Sequence, residues 1–349
     1  SMTQTLDLQP WKRATAARRF EIAMAALVPF PLVMLLAYLS GLDLTMSFIT
    51  IFFPVQILFA SVVGFRAYGK RGIGDSVLVV LSVFFSVFVL VLLTSVLWSV
   101  VSEGAKAISW QFIAQNNTYV SPTTSLDYGG VGHAILGTLL VVTLTTLAAV
   151  PLGIAMAVYL TQSQSKIRGL VRTFTQALSG LPSVVSGLFI LSIIEATQMG
   201  RSGFTGSLAL FPLMLPTVAR VAEESLRLVP VDLRYAALAL GAPNYKAFFQ
   251  VILPAAKSGL LTALLLGLAR VVGETAPLLL TVNPASGTNL NPFFGGIRTL
   301  PTYIYDYLAS SYSTAQSRAW GAALVLLILV GILFGTARIL GRSKRKKRK

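Results

Sequence analysis

Residues 258–281 read SGLLTALLLGLARVVGETAPLLLT, an apolar run broken by one arginine and one glutamate, Arg270 and Glu274. A hydrocarbon core about 30 Å thick is crossed by roughly 20 apolar residues in a helix, so this run is long enough to span a membrane. At ~100° per residue, Gly259, Ala263, Gly267, Arg270 and Glu274 fall on one stripe of that helix. Small residues at a spacing of four let a neighbouring helix approach closely, so the stripe is expected to face protein and to carry the two charges with it. Arg270 and Glu274 stand four apart and can pair along the helix. An unpaired charge at mid-membrane costs at least roughly 2.5–3.5 kcal/mol. Two readings follow. The pair is a neutralised packing lock, or Arg270 meets an anionic solute in transit while Glu274 holds and screens it. Intramembrane ionisable groups mark pathways more often than not, which favours the second.

The segment before this helix is of a different kind. Residues 215–230, LPTVARVAEESLRLVP, close an apolar helix and open a polar loop that lasts until Leu253-Pro254. Within it, Tyr235-Ala236-Ala237-Leu238-Ala239-Leu240-Gly241 has helical composition and a terminal glycine that can adopt the left-handed conformation. Pro243 prevents continuation, and a second short helix is expected over 244–252, ending before Leu253-Pro254. Two short helices around a glycine corner make a protruding knob. It is either a simple connection or a docking surface.

Outward from these two segments the whole chain is apolar. Of 349 residues, 55% are apolar and only 11% charged, with a mean hydropathy of +0.75. That balance places it among polytopic membrane proteins. Eight spans are expected, at 21–40, 46–65, 76–101, 132–160, 173–197, 204–222, 258–281 and 319–340. The fold class is all-α, with a six-helix core over 76–340, an added hairpin at 21–72 turned at Ser40-Gly41-Leu42-Asp43, a segment 1–20 before it and a basic tail 341–349. With the N-terminus inside, 23 lysines and arginines lie on that side against 4 outside, and Arg270 lies within the membrane. Both termini are therefore expected to be cytoplasmic. Ser1 ahead of Met2 reads as a non-native addition, and no cleavable signal peptide is evident.

Absences narrow the chemistry. The chain has no cysteine and a single histidine, His133, which excludes disulfides and thiolate metal sites and disfavours a histidine-based one. The net charge of +16 is concentrated in short loops and in Lys344–Lys349, a pattern that fits orientation and anionic lipid better than nucleic acid. No G-x-x-x-x-G-K-[ST] loop is present, so this chain is not expected to hydrolyse ATP. Two loops expected outside, 102–131 and 282–318, are long. The second carries Tyr303, Tyr305 and Tyr307, either an aromatic belt at the membrane surface or part of a binding face. Pro182 is expected to kink the fifth span, and Arg220 beside Glu223 and Glu224 is either an interfacial pair or an inner gate charge. Glu195 reads as a helix-end charge, and His133, at a helix start, as an interface residue.

The run Ala236-Ala237, Gly241, Val251 and Leu253-Pro254 resembles the EAA loop of ABC-importer permeases, with Tyr235 where that family carries a leading glutamate. The stretches 179–188, 215–227, 269–279 and 300–305 resemble the PstA-like permease subunits of phosphate ABC importers. The resemblance covers about 76–340. It implies a coupling loop over 226–257, in which Tyr235, Ala236, Ala237, Gly241, Val251, Leu253 and Pro254 contact an ATPase. It also implies a phosphate path near Arg270, Glu274, Thr275 and Arg220, and helix packing through Gly259, Ala263 and Gly267. The implied partners are a PstC-like permease, two ATPase subunits holding ATP and magnesium, and an extracytoplasmic phosphate-binding protein. The implied location is the bacterial inner membrane. Two alternatives stand beside this one: a permease for sulfate or molybdate, and a self-contained channel or secondary transporter.

Overall fold

Every regular element of the computed structural model, which describes residues 29–40, 46 and 48–341, is helical. The segment 1–20, the turn at Gly41-Leu42-Asp43 and the run Lys344–Lys349 lie outside the described residues. Two compact units divide the chain, one up to Leu97 and one from Trp98.

In the first unit, α1 (Pro29–Ser40) is followed by α2 (Phe53–Tyr68), which is entered through a wider π turn at Phe48–Phe52. Pro54 accounts for that turn. Its ring clashes with the carbonyl four residues earlier, at Thr50, and widening the ladder relieves the clash. Gly69, at φ +66°, is the only residue between α2 and α3 (Lys70–Ala105). Gly64 of α2 lies so near the start of α3 that a Cβ would sit 2.3 Å from the Gly72 carbonyl oxygen. The third span thus begins six residues before the expected 76, because the helix runs on through polar residues once Gly69 has made the corner. None of the apolar stretch of α3 is buried within the chain.

The second unit begins with the last turns of α3 and a short α4 (Trp110–Ala114), capped by the Ser109 side chain. Then come α5 (Gly132–Gln162), α6 (Arg168–Ser179), α7 (Ser183–Thr197) and α8 (Gly203–Arg227). Next are α9 (Val231–Ala239), α10 (Asn244–Ala247, continuing through a π turn at Phe248–Ile252 to Ala255), α11 (Lys257–Val272), α12 (Ala276–Thr281), α13 (Leu300–Leu308) and α14 (Ser313–Gly341). Helix α8 is the axis. It packs along α5 and α11, and its partners bury Leu210, Leu213, Met214, Val218 and Ala222 against Val141, Ala149, Ala263 and Val271. Small residues set the approach: a Cβ on Gly153 would lie 2.9 Å from Val218, one on Gly267 2.7 Å from Val218, and one on Gly259 2.3 Å from the Ser225 hydroxyl. Polar side chains bond across the helices where lipid or core would leave them unpaired. Ser186 Oγ donates to the Ala209 carbonyl at 2.6 Å, and Thr205 Oγ1 to that of Thr281 at 2.7 Å.

Two expected spans are corrected. The run 173–197 is no kinked helix but a corner: α6 and α7 meet at 103°, with Pro182 as the N-cap of α7. The residue before a proline is driven out of the α region, and Gly180 two residues earlier offers little resistance. The run 258–281 breaks at Gly273-Glu274-Thr275, because the Pro277 ring cannot pack against a helical carbonyl at Gly273. The second helix of the knob also differs. It runs through Leu253-Pro254 to Ala255 instead of stopping before them, again through a π turn ahead of a proline.

Four unbroken helices, Lys70–Ala105, Gly132–Gln162, Gly203–Arg227 and Ser313–Ile339, are long and apolar enough to cross a membrane. Two bent pairs, α6 with α7 at 103° and Asn244–Ala255 with α11 at 65°, bring the number to six among the described residues if each is one span, beside a shorter apolar helix at Thr50–Arg66. The chain is a multi-pass, all-helical membrane protein.

Candidate translocation and coupling site

The two interrupted helices meet. Helix α7 packs on α12, and a Cβ on Gly187 would come 2.7 Å from the Cα of Pro277. The corner at Pro182 and the break at Gly273–Thr275 are therefore neighbours. Ser183, the first residue of α7, lies within hydrogen-bonding reach of the Glu274 carboxylate. A carboxylate near a helix N-terminus is favoured by the unpaired N–H groups and by the helix dipole. Arg270 occupies the last turn of α11, where the dipole favours a cation.

The stripe expected on this helix is half right. Gly259, Ala263 and Gly267 face α8 and are the contact. The buried line then continues to Val271, 1% exposed, while Arg270 is exposed on the surface of the chain. A repeat of four passes through 271, not 270, and the helix stops before the line could reach Glu274. Among the described residues no ion pair joins Arg270 to Glu274, because the expected helical spacing ends at Val272. Glu274 and Thr275 are partly buried in the break. The outcome is an exposed guanidinium beside a carboxylate and unwound backbone, all on one side of an apolar bundle.

Farther along, Arg220 pairs with Glu224 at 3.7 Å, both exposed. Glu223 is not its partner: it is largely buried and accepts from Arg172 at 2.7 Å and Arg227 at 2.6 Å. This three-residue bridge ties α6 to the end of α8, and sequence reasoning missed it. The amphipathic pattern of 168–179 was the available signal.

Beyond Arg227 the chain turns at Pro230 into the knob. Gly241, at φ +82°, makes the corner between α9 and α10 with no heavy atom near its missing Cβ. Ala237 packs inward and Val251 and Leu253 are partly buried, whereas Tyr235, Ala236, Gly241 and Pro254 are exposed. Around them lie Val231, Leu233, Leu240, Tyr245 and Phe249, with Leu240 the most open at 89%. An apolar surface of this kind on a protruding element marks an interaction site.

At the opposite end of α8 the two long loops close into a cap. Arg318 is fully buried and donates to the carbonyls of Thr124, Ser125 and Tyr128, at 2.7 Å to the last two. Asn117 Nδ2 donates to the hydroxyls of Tyr303, at 3.1 Å, and Tyr307. Burial pushes the Tyr303 phenol well above the usual tyrosine range, so it stays protonated. Of the three tyrosines read as a possible surface belt, Tyr303 is buried and stacks on Tyr307 at 4.2 Å, and only Tyr305 is largely exposed. His133, expected at an interface, is buried with its ring edge-on to Tyr303. Glu195 lies exposed near the end of α7.

An axial helix flanked by interrupted helices, with a projecting helical knob at one end, defines a membrane permease component. The chain belongs to the family of binding-protein-dependent transport system inner membrane components, whose profile matches residues 149–346. Within it, the chain is 40% identical over 258 residues to the phosphate transport system permease protein PstA 1 of Mycobacterium tuberculosis (strain ATCC 25618 / H37Rv), covering 72% of this chain and 82% of that one. It is 33% identical over 270 residues to the phosphate transport system permease protein PstA of Pasteurella multocida (strain Pm70), covering 76% of this chain and 92% of that one. Among solved structures, an inward-facing MetNI methionine ABC transporter chain aligns with a TM-score of 0.44 and 21% identity, over 61% of this chain and 91% of that one.

Proposed function

We propose that this chain is the transmembrane subunit of an ATP-driven phosphate importer in the bacterial inner membrane, with both termini cytoplasmic. It forms half of the phosphate path, and a PstC-like permease forms the other half. Two ATPase subunits carry ATP and magnesium and grip the knob over 226–257, and an extracytoplasmic phosphate-binding protein docks on the cap. Closure of the ATPases moves the knobs, and the bundle transmits that motion to the paired helix breaks.

One observation carries the reading: the two helix interruptions adjoin beside an exposed Arg270 at the end of an apolar helix. An exposed guanidinium on a span needs an anion or a water-filled cleft, and interrupted helices are the form in which membrane proteins build solute sites. The similarity to phosphate permeases supplies the anion. The test is phosphate uptake by the assembled importer in proteoliposomes. Arg270→Gln is expected to lower uptake at least tenfold, on the order of 1.4 kcal/mol or more, with the complex still recovered intact. Undiminished uptake would reject the assignment, and inhibition by sulfate or molybdate at concentrations matching phosphate would reject the choice of anion.

A further inference from the structure

A cavity of about 400 Å³ lies where the end of α5, the start of α6, the end of α8 and the knob converge, a size typical of small-ligand sites. Arg168, Arg227 and Arg234 line it, and no carboxylate does. Arg227 shares the one Glu223 oxygen with Arg172. Arg168 donates to the Ser163 carbonyl at 3.2 Å, and Arg234 to the side-chain oxygens of Gln162 at 3.1 Å and Asn244 at 3.4 Å. These acceptors are neutral, so Arg168 and Arg234 have no counter-ion among the described residues. The cavity is a concave, cationic site with two unspent guanidinium charges.

We propose that this cavity binds a phosphate group and that the bound group braces the knob against the helix bundle. Planar guanidiniums converging from three elements suit the several oxygens of a phosphate better than a point cation or a single carboxylate would. Arg168 comes from the bundle side and Arg234 from α9 of the knob, so a ligand held by both crosses the junction at Pro230 through which the knob must move. Under the importer reading, on which this regulation rests, the cavity opens to the cytoplasm. Its occupant is then either phosphate already imported or the headgroup of an anionic lipid, and occupancy slows transport.

The test uses the full chain in nanodiscs of phosphatidylcholine alone, at fixed ionic strength, with radiolabelled inorganic phosphate in equilibrium dialysis. It is run in wild type and in an Arg270→Gln background, which removes the candidate pathway charge. Saturable binding that persists in Arg270→Gln, weakens about tenfold in Arg168→Gln and stays within about twofold of wild type in Lys166→Gln supports a free-phosphate site. Lys166 carries the same charge two residues away but does not line the cavity. If phosphate does not bind but native mass spectrometry finds phosphatidic acid retained by wild type and lost in Arg168→Gln, the phosphate group is a lipid's. If neither ligand depends on Arg168, or Lys166→Gln weakens both equally, the proposal is overturned. Binding abolished by Arg270→Gln yet indifferent to Arg168→Gln would overturn this site while leaving the translocation reading standing. In the reassembled importer, phosphate on the knob side should slow uptake by wild type more than by Arg168→Gln, with equal rates when that side holds none.

Discussion

Replacing Gly187 by alanine should loosen the junction of the two broken helices. The added Cβ would lie 2.7 Å from the Pro277 Cα, 3.1 Å from Leu280 Cδ1 and 3.2 Å from the Pro277 carbonyl oxygen. Ordinary contact begins at 3.4 Å, so α12 would have to move by about 0.7 Å. The obstacle is backbone, and the first turn of α12 is fixed by the buried Pro277 and Leu278. A flexible side chain could step aside; this proline cannot. Overpacking of this sort costs about 1–3 kcal/mol, and the rigid neighbour places it at the upper end. Alanine recovers about 0.8–1 kcal/mol of helix propensity at the same position. The net expectation is a loss of about 2 kcal/mol. Gly331→Ala is the matched control: it lies in α14 with no heavy atom within 4 Å of its Cβ position, so only the propensity gain remains and its sign should be opposite. The assay is equilibrium unfolding in mixed micelles, followed by the fluorescence of the four tryptophans. A Gly187→Ala chain as stable as wild type, or two variants shifting the same way, would refute the packing argument.

Three further outcomes are expected. Glu223→Gln should destabilise by about 1–2 kcal/mol, because two charge-assisted bonds lose their acceptor charge. A double-mutant cycle with Arg172→Gln should return a coupling above about 0.5 kcal/mol, and additive effects would dissolve the bridge between α6 and α8. Arg318→Met should free the loop around Thr124–Tyr128, seen as faster chymotryptic cleavage at Tyr119 or Tyr128; an unchanged cleavage rate would show the loop is held by other contacts. Leu240→Ser should leave stability within about 0.5 kcal/mol, since its side chain is exposed, yet reduce recovery of the ATPase with the complex. Full recovery would move the docking face away from the Gly241 corner.

The sequence was legible where one residue type acts alone. Apolar length gave the four unbroken spans, Gly241 gave the knob's corner, and the spacing of Gly259, Ala263 and Gly267 gave the face that meets α8. It was less legible where two residues act together. A stripe projected from ideal geometry assumed an unbroken helix and a line through 270; the buried line runs through Val271, which leaves Arg270 exposed, and the break at Gly273 turns Glu274 toward Ser183. The Arg172–Glu223 link and the Arg318 clamp join residues distant in sequence, so spacing alone does not pair them; the amphipathic face of 168–179 signals a polar partner without naming it. Tyr303 read as a surface aromatic because composition cannot tell a ring at the membrane boundary from one enclosed by loops.

Proline alone does not decide where this chain breaks. Pro151, Pro212 and Pro216 lie inside helices that continue through them. Pro54 and Pro254 are preceded by π turns, which widen the ladder enough for the helix to pass through the proline, although the helix of Pro254 ends one residue later at Ala255 and meets α11 at 65°. Within the apolar spans the helix is severed at Pro182 and Pro277, and these are the two with a glycine in the four residues before them, Gly180 and Gly273. The physical reason is additive. Proline removes one backbone bond and strains its neighbour by about 3 kcal/mol, while glycine lowers the cost of leaving the helix by about 1 kcal/mol. Elsewhere the flanking helix resists and the ladder adapts. Both severed points lie at the junction of α7 and α12, beside Arg270. The backbone is therefore interrupted beside an exposed charge at the end of an apolar helix, which is the arrangement the proposed translocation path calls for.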